Sequence, residues 1–187
     1  NRADEIATEY LRIHLDSDTL ERSVDLLIET CKLFLGKTIE IVELDVDQEH
    51  SPIWGACLTF DDKYVVCIVK GLNHCWTRFV ACKEIFHTIL DKDEYRNTNL
   101  CSHVDEVAVA FPDSEQVHSK PVMAERLAEM AAMQFLFPYE NRVRELAKGD
   151  DINMRSIAEK YRIPQVMVER FLSSNYMTPF AKFYSPE

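Results

Sequence analysis

Apolar residues recur at helical spacing over most of this chain, but between residues 38 and 69 they follow the pattern of β-strands. Three runs carry that pattern, at 38–44, 54–60 and 64–69, and the Asp61-Asp62 pair between the last two is typical of a turn. A sheet of three short strands needs helices to cover its apolar face. The sequence therefore predicts an α+β fold in which a small antiparallel sheet packs on helices.

Helical spacing predicts helices on both sides of this sheet. The predicted helices span residues 6–14, 19–35, 76–90, 123–136, 139–148, 153–161 and 165–173. The last two are joined by a short corner that contains Pro164, and they resemble a helix-turn-helix pair. The interval 91–121 is polar, and we expect some structure near 103–110 without predicting its shape.

Size and composition indicate a globular chain with a substantial core. The 187 residues are 47% hydrophobic and 28% charged, with only 4 glycines and 7 prolines. These values exclude a disordered, collagen-like or linker-dominated chain. At about 150 residues per domain, the length predicts one domain with at most a small appendage.

Charge and cysteine content restrict the partners and the compartment. The net charge of −11 opposes a surface that tracks a phosphate backbone. A chain of this length does not need its 6 cysteines as disulfide staples, so we expect reduced thiols. No stretch approaches the roughly 18 apolar residues of a membrane span, and the first residues lack the apolar core of a signal peptide. We therefore expect a cytoplasmic protein with no membrane association and no specific DNA binding.

The segment from Lys83 to His87 has the length and two of the three key residues of the zinc-peptidase pattern H-E-x-x-H. Residues four apart lie on one face of a helix, so the outer pair of that pattern can hold one metal ion. The glutamate beside the first ligand acts as general base on the metal-bound water. Glu84 and His87 match this pattern, and Glu125 in the next predicted helix is placed to be a third ligand.

Two longer stretches resemble the ImmA/IrrE family of metallo-endopeptidases. The run Arg78-Phe-Val-Ala-Cys-Lys-Glu-Ile-Phe-His87 is similar to that family's R-F-T-x-A-H-E-x-G-H core. Residues 125–138 are similar to its E-x-x-A-N-x-F-A-x-x-L-L-M-P helix, which supplies the third zinc ligand. The resemblance implies a zincin-like fold, with residues 1–149 as the peptidase domain and residues 150–187 as a helix-turn-helix-like appendage packed on it.

The resemblance also implies a function. Members of the family cleave or inactivate DNA-binding repressors, which are often encoded beside them in prophages, other mobile elements or stress-response loci. For this chain it implies zinc as cofactor, His87 and Glu125 as zinc ligands, Glu84 as the catalytic base, and a repressor-type protein as partner. The sequence does not indicate the oligomeric state.

Two residues depart from the family pattern: its first zinc-ligand histidine falls on Lys83, and its glycine falls on Phe86. A protonated lysine has no lone pair and cannot bind zinc near neutral pH. Two hypotheses therefore stand, an active or metal-binding zinc peptidase and a pseudo-peptidase without cofactor that binds a regulatory protein. In the second, the Lys83 ammonium supplies the positive charge that zinc would give to Glu84 and Glu125.

The other cysteines and histidines form weaker patterns. Cys82 is five residues from His87, which places it about 140° around the helix, so we expect it to pack in the core rather than bind zinc. A second possible metal set has irregular spacing and no C-x-x-C pair, and we do not predict a site from it: Cys75, Cys82, His87, Cys101 and His103. Four further histidines have no partner at motif spacing: His14, His50, His74 and His118. The second helix of the C-terminal pair has one basic side chain, which favours packing over DNA recognition.

Overall fold

The computed structural model describes residues 2–13, 22–46, 54–90 and 120–184. In these segments the chain forms eight α-helices and one three-stranded sheet, so the α+β class is confirmed. The helices are α1 (Arg2–Ile13), α2 (Val24–Leu35), α3 (His74–Leu90), α4 (Lys120–Leu136), α5 (Tyr139–Leu146), α6 (Met154–Tyr161), α7 (Gln165–Leu172) and α8 (Ser174–Tyr184). The strands are β1 (Thr38–Leu44), β2 (Gly55–Thr59) and β3 (Lys63–Val69). None of the described helices has the length and apolar character needed to cross a lipid bilayer.

The sheet is mixed, so the predicted antiparallel sheet was wrong in one of its two pairings. Its strand order is β1-β3-β2, with β2 antiparallel to β3 and β1 parallel to β3. Strand β2 runs opposite to β1, and β3 lies between them and runs in the same direction as β1. The two outer strands therefore have opposite directions. Period-two alternation reports which residues share a face and carries no information about strand direction. The hairpin at Asp61-Asp62 is present as predicted.

The second helix begins later than its apolar pattern predicted. Ser23 caps α2, because its hydroxyl accepts a hydrogen bond from the Leu26 amide at 3.4 Å. At the other end Gly36 adopts a left-handed conformation with φ of 65° and donates its amide to the Lys32 carbonyl. The predicted end at Gly36 is therefore confirmed, and the predicted start near residue 19 lies outside the described residues.

Helix α3 lies at the centre of the molecule. It packs along α4, against β2 and β3, and against α1 and α2. The stripe predicted to be buried is buried in full: Phe79, Cys82, Phe86 and Ile89. Because α3 is covered on several sides, most of its polar residues are also removed from water and need partners within the protein.

Arg78, the first residue of the R-F motif, is one of these buried polar residues and holds three chain segments together. Its guanidinium donates hydrogen bonds to the carbonyl oxygens of Tyr161 and Arg162 at 2.9 and 2.7 Å, and to that of Arg22 at 2.6 Å. Arg162 has a positive φ of 51° and ends α6, so two of these carbonyls lie at a helix C-terminus. Arg78 therefore joins α3 to the end of α6 and to the residue before the α2 cap.

The two helices of the C-terminal pair, α6 and α7, belong to the same hydrophobic core as α3 and α4. Their buried residues include Ile157, Tyr161, Val168 and Phe171. The carboxylate of Glu145, which is 2% exposed, ties α5 to α6: it accepts a hydrogen bond from Lys160 at 2.6 Å and pairs with Lys148. Burial alone would raise the pKa of Glu145, but the two ammonium groups outweigh burial and hold it below its usual range.

Helix α8 was not predicted, because Pro179 interrupts its pattern. It covers Arg142, a fully buried residue of α5 whose guanidinium donates a hydrogen bond to Gln134. The same guanidinium lies over the rings of Phe180 and Phe171, at 4.6 and 5.7 Å from their centres. Burial lowers the pKa of Arg142 to about 10, so the group stays charged at neutral pH and the rings stabilise that charge.

Candidate functional site

The four residues singled out by the sequence come together between α3 and α4. Lys83 and His87 lie one turn apart on α3, and both contact Glu125, which is in the second turn of α4. Lys83 Nζ lies 2.6 Å from Glu125 Oε2, and His87 Nε2 lies 3.2 Å from Glu125 Oε1. Lys83 Nζ also lies 2.9 Å from Glu84 Oε1. We call these four side chains the Lys83 cluster.

The cluster is largely removed from water. The side chains of Glu84 and His87 are 4% and 8% exposed, and those of Lys83 and Glu125 are 19% and 23% exposed. Water therefore reaches the cluster from the side of Lys83 and Glu125, and Glu84 lies deeper.

The charge of Lys83 is strongly stabilised at this position. Burial by itself would lower the pKa of Lys83, but the carboxylates of Glu84 and Glu125 raise it by their charge and by hydrogen bonds, and the net result is above the usual range for lysine. The group is therefore an ammonium at every pH at which the protein would work. The ammonium donates a hydrogen bond to Glu125 Oε2 at 2.6 Å, and Glu84 Oε1 lies 2.9 Å from Nζ in a close ion pair.

Gly55, which the sequence analysis did not identify, brings β2 against the cluster. A Cβ atom at this position would lie 2.5 Å from Val80 Cγ1 and 2.9 Å from Glu84 Oε1, both too close for any side chain. The glycine thus permits the backbone of β2 to touch α3 beside the Glu84 carboxylate. An isolated glycine in a strand pattern is the signal that could have indicated this close approach.

The residues present do not fit a zinc ion as they stand. Zinc would need a deprotonated first ligand at position 83, and Lys83 instead holds a proton-bearing nitrogen between the two carboxylates. In the described segments no group of three histidine, cysteine or acidic residues is arranged to hold a metal ion. What the cluster can do chemically is hold two carboxylates and an imidazole close together around one fixed positive charge.

Cys82 packs in the core, as predicted. It is fully buried, and burial raises its pKa to about 12, so it is a neutral thiol. Cys31 is buried in the same core, with its pKa also raised to about 12 by burial. The five described cysteines are all thiols. Cys101 and several histidines lie outside the described residues: His14, His50, His103 and His118.

A groove with a volume of about 520 Å³ lies at the opposite end of α3 from His87. Its walls come from the first turn of α3, including Trp76, and from the corner of the C-terminal helix pair, including Ile163 and Pro164. It contains His74 and Cys75 but none of the four residues of the Lys83 cluster. The concave surface and the charged cluster are therefore separate features.

Comparisons with known proteins place few constraints on this chain. No model of a protein family matches it, and no curated protein does. Among ten solved chains that match in structure is a Mycobacterium tuberculosis transcriptional regulator, with 17% sequence identity and a TM-score of 0.49. The match covers 88% of this chain and 45% of that protein, so the chain spans less than half of the length of its structural neighbour.

Proposed function

We propose that the chain is a degenerate relative of the ImmA/IrrE peptidases that binds a repressor-type regulatory protein without hydrolysing it. The observation that carries this proposal is the position of Lys83 Nζ, 2.6 Å from Glu125 and 2.9 Å from Glu84. The ammonium lies between the two carboxylates that the family resemblance assigns to a zinc ligand and a catalytic base. Lys83 thus offsets one of the two negative charges and pairs with both carboxylates without a metal ion.

An ammonium in this position opposes hydrolysis for two reasons. It offers no lone pair to a metal and no site at which a water molecule could be polarised and deprotonated. It also pairs with Glu84, the residue that would have to act as base, with Nζ 2.9 Å from Oε1. What remains is a zincin-like scaffold with a stabilised interior, which suits a protein that recognises a partner and acts by holding it.

The charge distribution favours a protein partner over DNA. The net charge is −11, and the basic residue of α7, Arg170, pairs with Glu129 of α4 at 2.8 Å. A recognition helix needs such a side chain to be available for base edges and phosphates. We therefore propose that control of transcription, if it occurs, passes through a bound regulator.

A second candidate function, zinc-dependent cleavage of the regulator, is favoured by one contact. His87 Nε2 lies 3.2 Å from Glu125 Oε1, so the two side chains that would be zinc ligands already lie together. For this function Lys83 would have to leave the cluster and another group would have to replace it.

Metal analysis separates the two functions. We expect the purified chain to hold well below one zinc per molecule, and Lys83→His to hold about one, because the change completes a His, His, Glu set. Lys32→His is a matched control, since Lys32 is an exposed lysine on α2 and the same change there should add no zinc. Stoichiometric zinc in the unchanged chain, removable by a chelator, would reject the degenerate-site proposal.

Partner binding is tested with the DNA-binding regulators encoded in the neighbouring genes. We expect one of them to bind the purified chain with a defined stoichiometry in calorimetry, and to keep its full mass after prolonged incubation with added zinc. Fragments that appear with the unchanged chain, and disappear for Glu84→Gln, would establish the peptidase instead. Absence of binding to any of these regulators would reject the proposed partner class.

A further inference from the structure

Strand β1 is an open edge of the sheet. In the described part of the chain no strand pairs with its outer side, since the strand order is β1-β3-β2. The Thr38 amide bonds to the Asp62 carbonyl and the Leu44 carbonyl accepts from Lys70, so the even-numbered residues of β1 bond to β3. The amides and carbonyls of the odd-numbered residues therefore point outward, in the way of any edge strand.

This edge carries two charged residues, Glu40 and Glu43, but lacks the other features that most often block pairing. Natural edge strands are often blunted by lysine, proline or a bulge. The sequence of β1, TIEIVEL, contains neither lysine nor proline, and its register with β3 is continuous. Several of its apolar side chains are also exposed to solvent. Ile41, Val42 and Leu44 are 39%, 41% and 39% exposed, and Val46 just beyond the strand is 40% exposed.

We propose that β1 pairs antiparallel with β1 of a second copy of this chain, around a two-fold axis at Ile41. In this register Ile41 faces its own counterpart, and Ile39 faces Glu43 of the other copy. All of these residues have outward-pointing backbone groups, so the pairing forms about six hydrogen bonds between the copies. The proposal is independent of what the Lys83 cluster does.

Charge complementarity is what favours a second copy over a foreign segment. The register places Lys37 opposite Asp45 of the other copy, and the two-fold axis makes this opposite-charge pair twice. Within one chain the Lys37 ammonium donates an exposed hydrogen bond to the Phe60 carbonyl at 3.0 Å, which leaves two of its three donors for Asp45. Glu40 faces Val42, and its own charge is already paired with Lys63 Nζ at 2.9 Å. No like charges stand directly opposite each other, although the strand and its flanks carry three acidic residues.

The end of helix α2 adds apolar surface to the same interface. Leu33 and Phe34 are 73% and 46% exposed and precede β1 by a few residues. In the proposed register Val46 of the other copy comes opposite Gly36, next to these two side chains. The area is small for a permanent dimer, and two chains of charge −11 repel each other, so the dimer is weak and concentration-dependent.

The mass in solution tests the proposal first. We expect sedimentation to show a rise toward twice the 21.7 kDa of the single chain as its concentration is raised from about 1 to about 300 µM. Ile41→Pro removes one outward amide, which an edge strand tolerates, and should weaken the dimer at least tenfold in a folded chain. Ile41→Thr keeps the amide and is the matched control. A single-chain mass throughout this range would overturn the proposal.

Cross-linking and charge exchange test the register. Ile41→Cys should give a covalent dimer under mild oxidation, because residues in a hydrogen-bonded antiparallel pair have Cα atoms about 5.5 Å apart. Glu43→Cys is the control, since two such cysteines would lie about 14 Å apart. Lys37→Glu should weaken the dimer, and adding Asp45→Lys should restore it. A dimer that forms equally well with Ile41→Pro, or that cross-links equally at position 43, would show that another surface is responsible.

Discussion

Replacing Lys83 by methionine would test whether the Lys83 cluster is held together by one buried charge. The substitution keeps the length and flexibility of the side chain and removes the ammonium. It leaves the carboxylate of Glu84, whose side chain is 4% exposed, beside that of Glu125 with no cation between them. We expect Lys83→Met to be clearly less stable than the unchanged chain near neutral pH.

The magnitude follows from the burial of the cluster. Removing one partner of a buried ion pair costs about 3–5 kcal/mol, because the remaining charge stays away from water. Lys83 and Glu125 are 19% and 23% exposed, so solvent screening shifts that range down, to about 2–4 kcal/mol. For a domain of this length such a loss lowers Tm by roughly 4–16 °C.

Urea unfolding at about pH 7 measures the loss. Lys63→Met is a matched control, because Lys63 is also 2.9 Å from a glutamate, Glu40, but that pair is 35% and 51% exposed. The control should cost less than about 1 kcal/mol. Equal losses for the two variants would refute the reasoning.

Three further predictions test the surroundings of the site. Gly55→Ala should cost about 1–3 kcal/mol in urea unfolding because its Cβ would lie 2.5 Å from Val80 Cγ1, and Val80→Ala should recover part of that loss. Glu145 has a lowered pKa, so its stabilising effect is full above about pH 4.3 and is lost as pH falls; the stability gap to Glu145→Gln should therefore close in acid. Phe180→Leu should reduce the free energy of unfolding more in the unchanged chain than in Arg142→Met, by about 0.5–2 kcal/mol in a double-mutant cycle. Equal losses in the two backgrounds would argue against a cation–π contact there.

The helices around the site were predictable because their apolar stripes have one periodicity and clear ends. The end of α2 at Gly36 was predicted. The single long helix predicted before Pro138 forms the C-terminal part of α4. The buried stripe of α3 was predicted residue by residue. Spacing along one helix predicted that residues 83 and 87 share a face, whereas Glu125, on a separate helix, was expected beside them from the family resemblance.

The direction of β1 and the existence of α8 were not predictable in the same way. Direction depends on where the next strand inserts, which is decided by packing on α3 and not by the pattern within β1. Helix α8 contains Pro179, and its inner face is held by the aromatic cover of Arg142, a tertiary contact that no local pattern reports. The interval 91–119, where some structure was expected, lies outside the described residues, and the division at residue 149 stays a prediction.

The three hydrogen bonds of Arg78 have a consequence for how the chain unfolds. The carbonyls of Tyr161 and Arg162 are the acceptors for a guanidinium that is 6% exposed, so removing the C-terminal helices would leave a buried cation without two of its ligands. The same helices also share one core with α3 and α4. A chain cut after residue 149 should therefore lose its cooperative melting transition altogether, rather than retain a stable folded domain over residues 1–149.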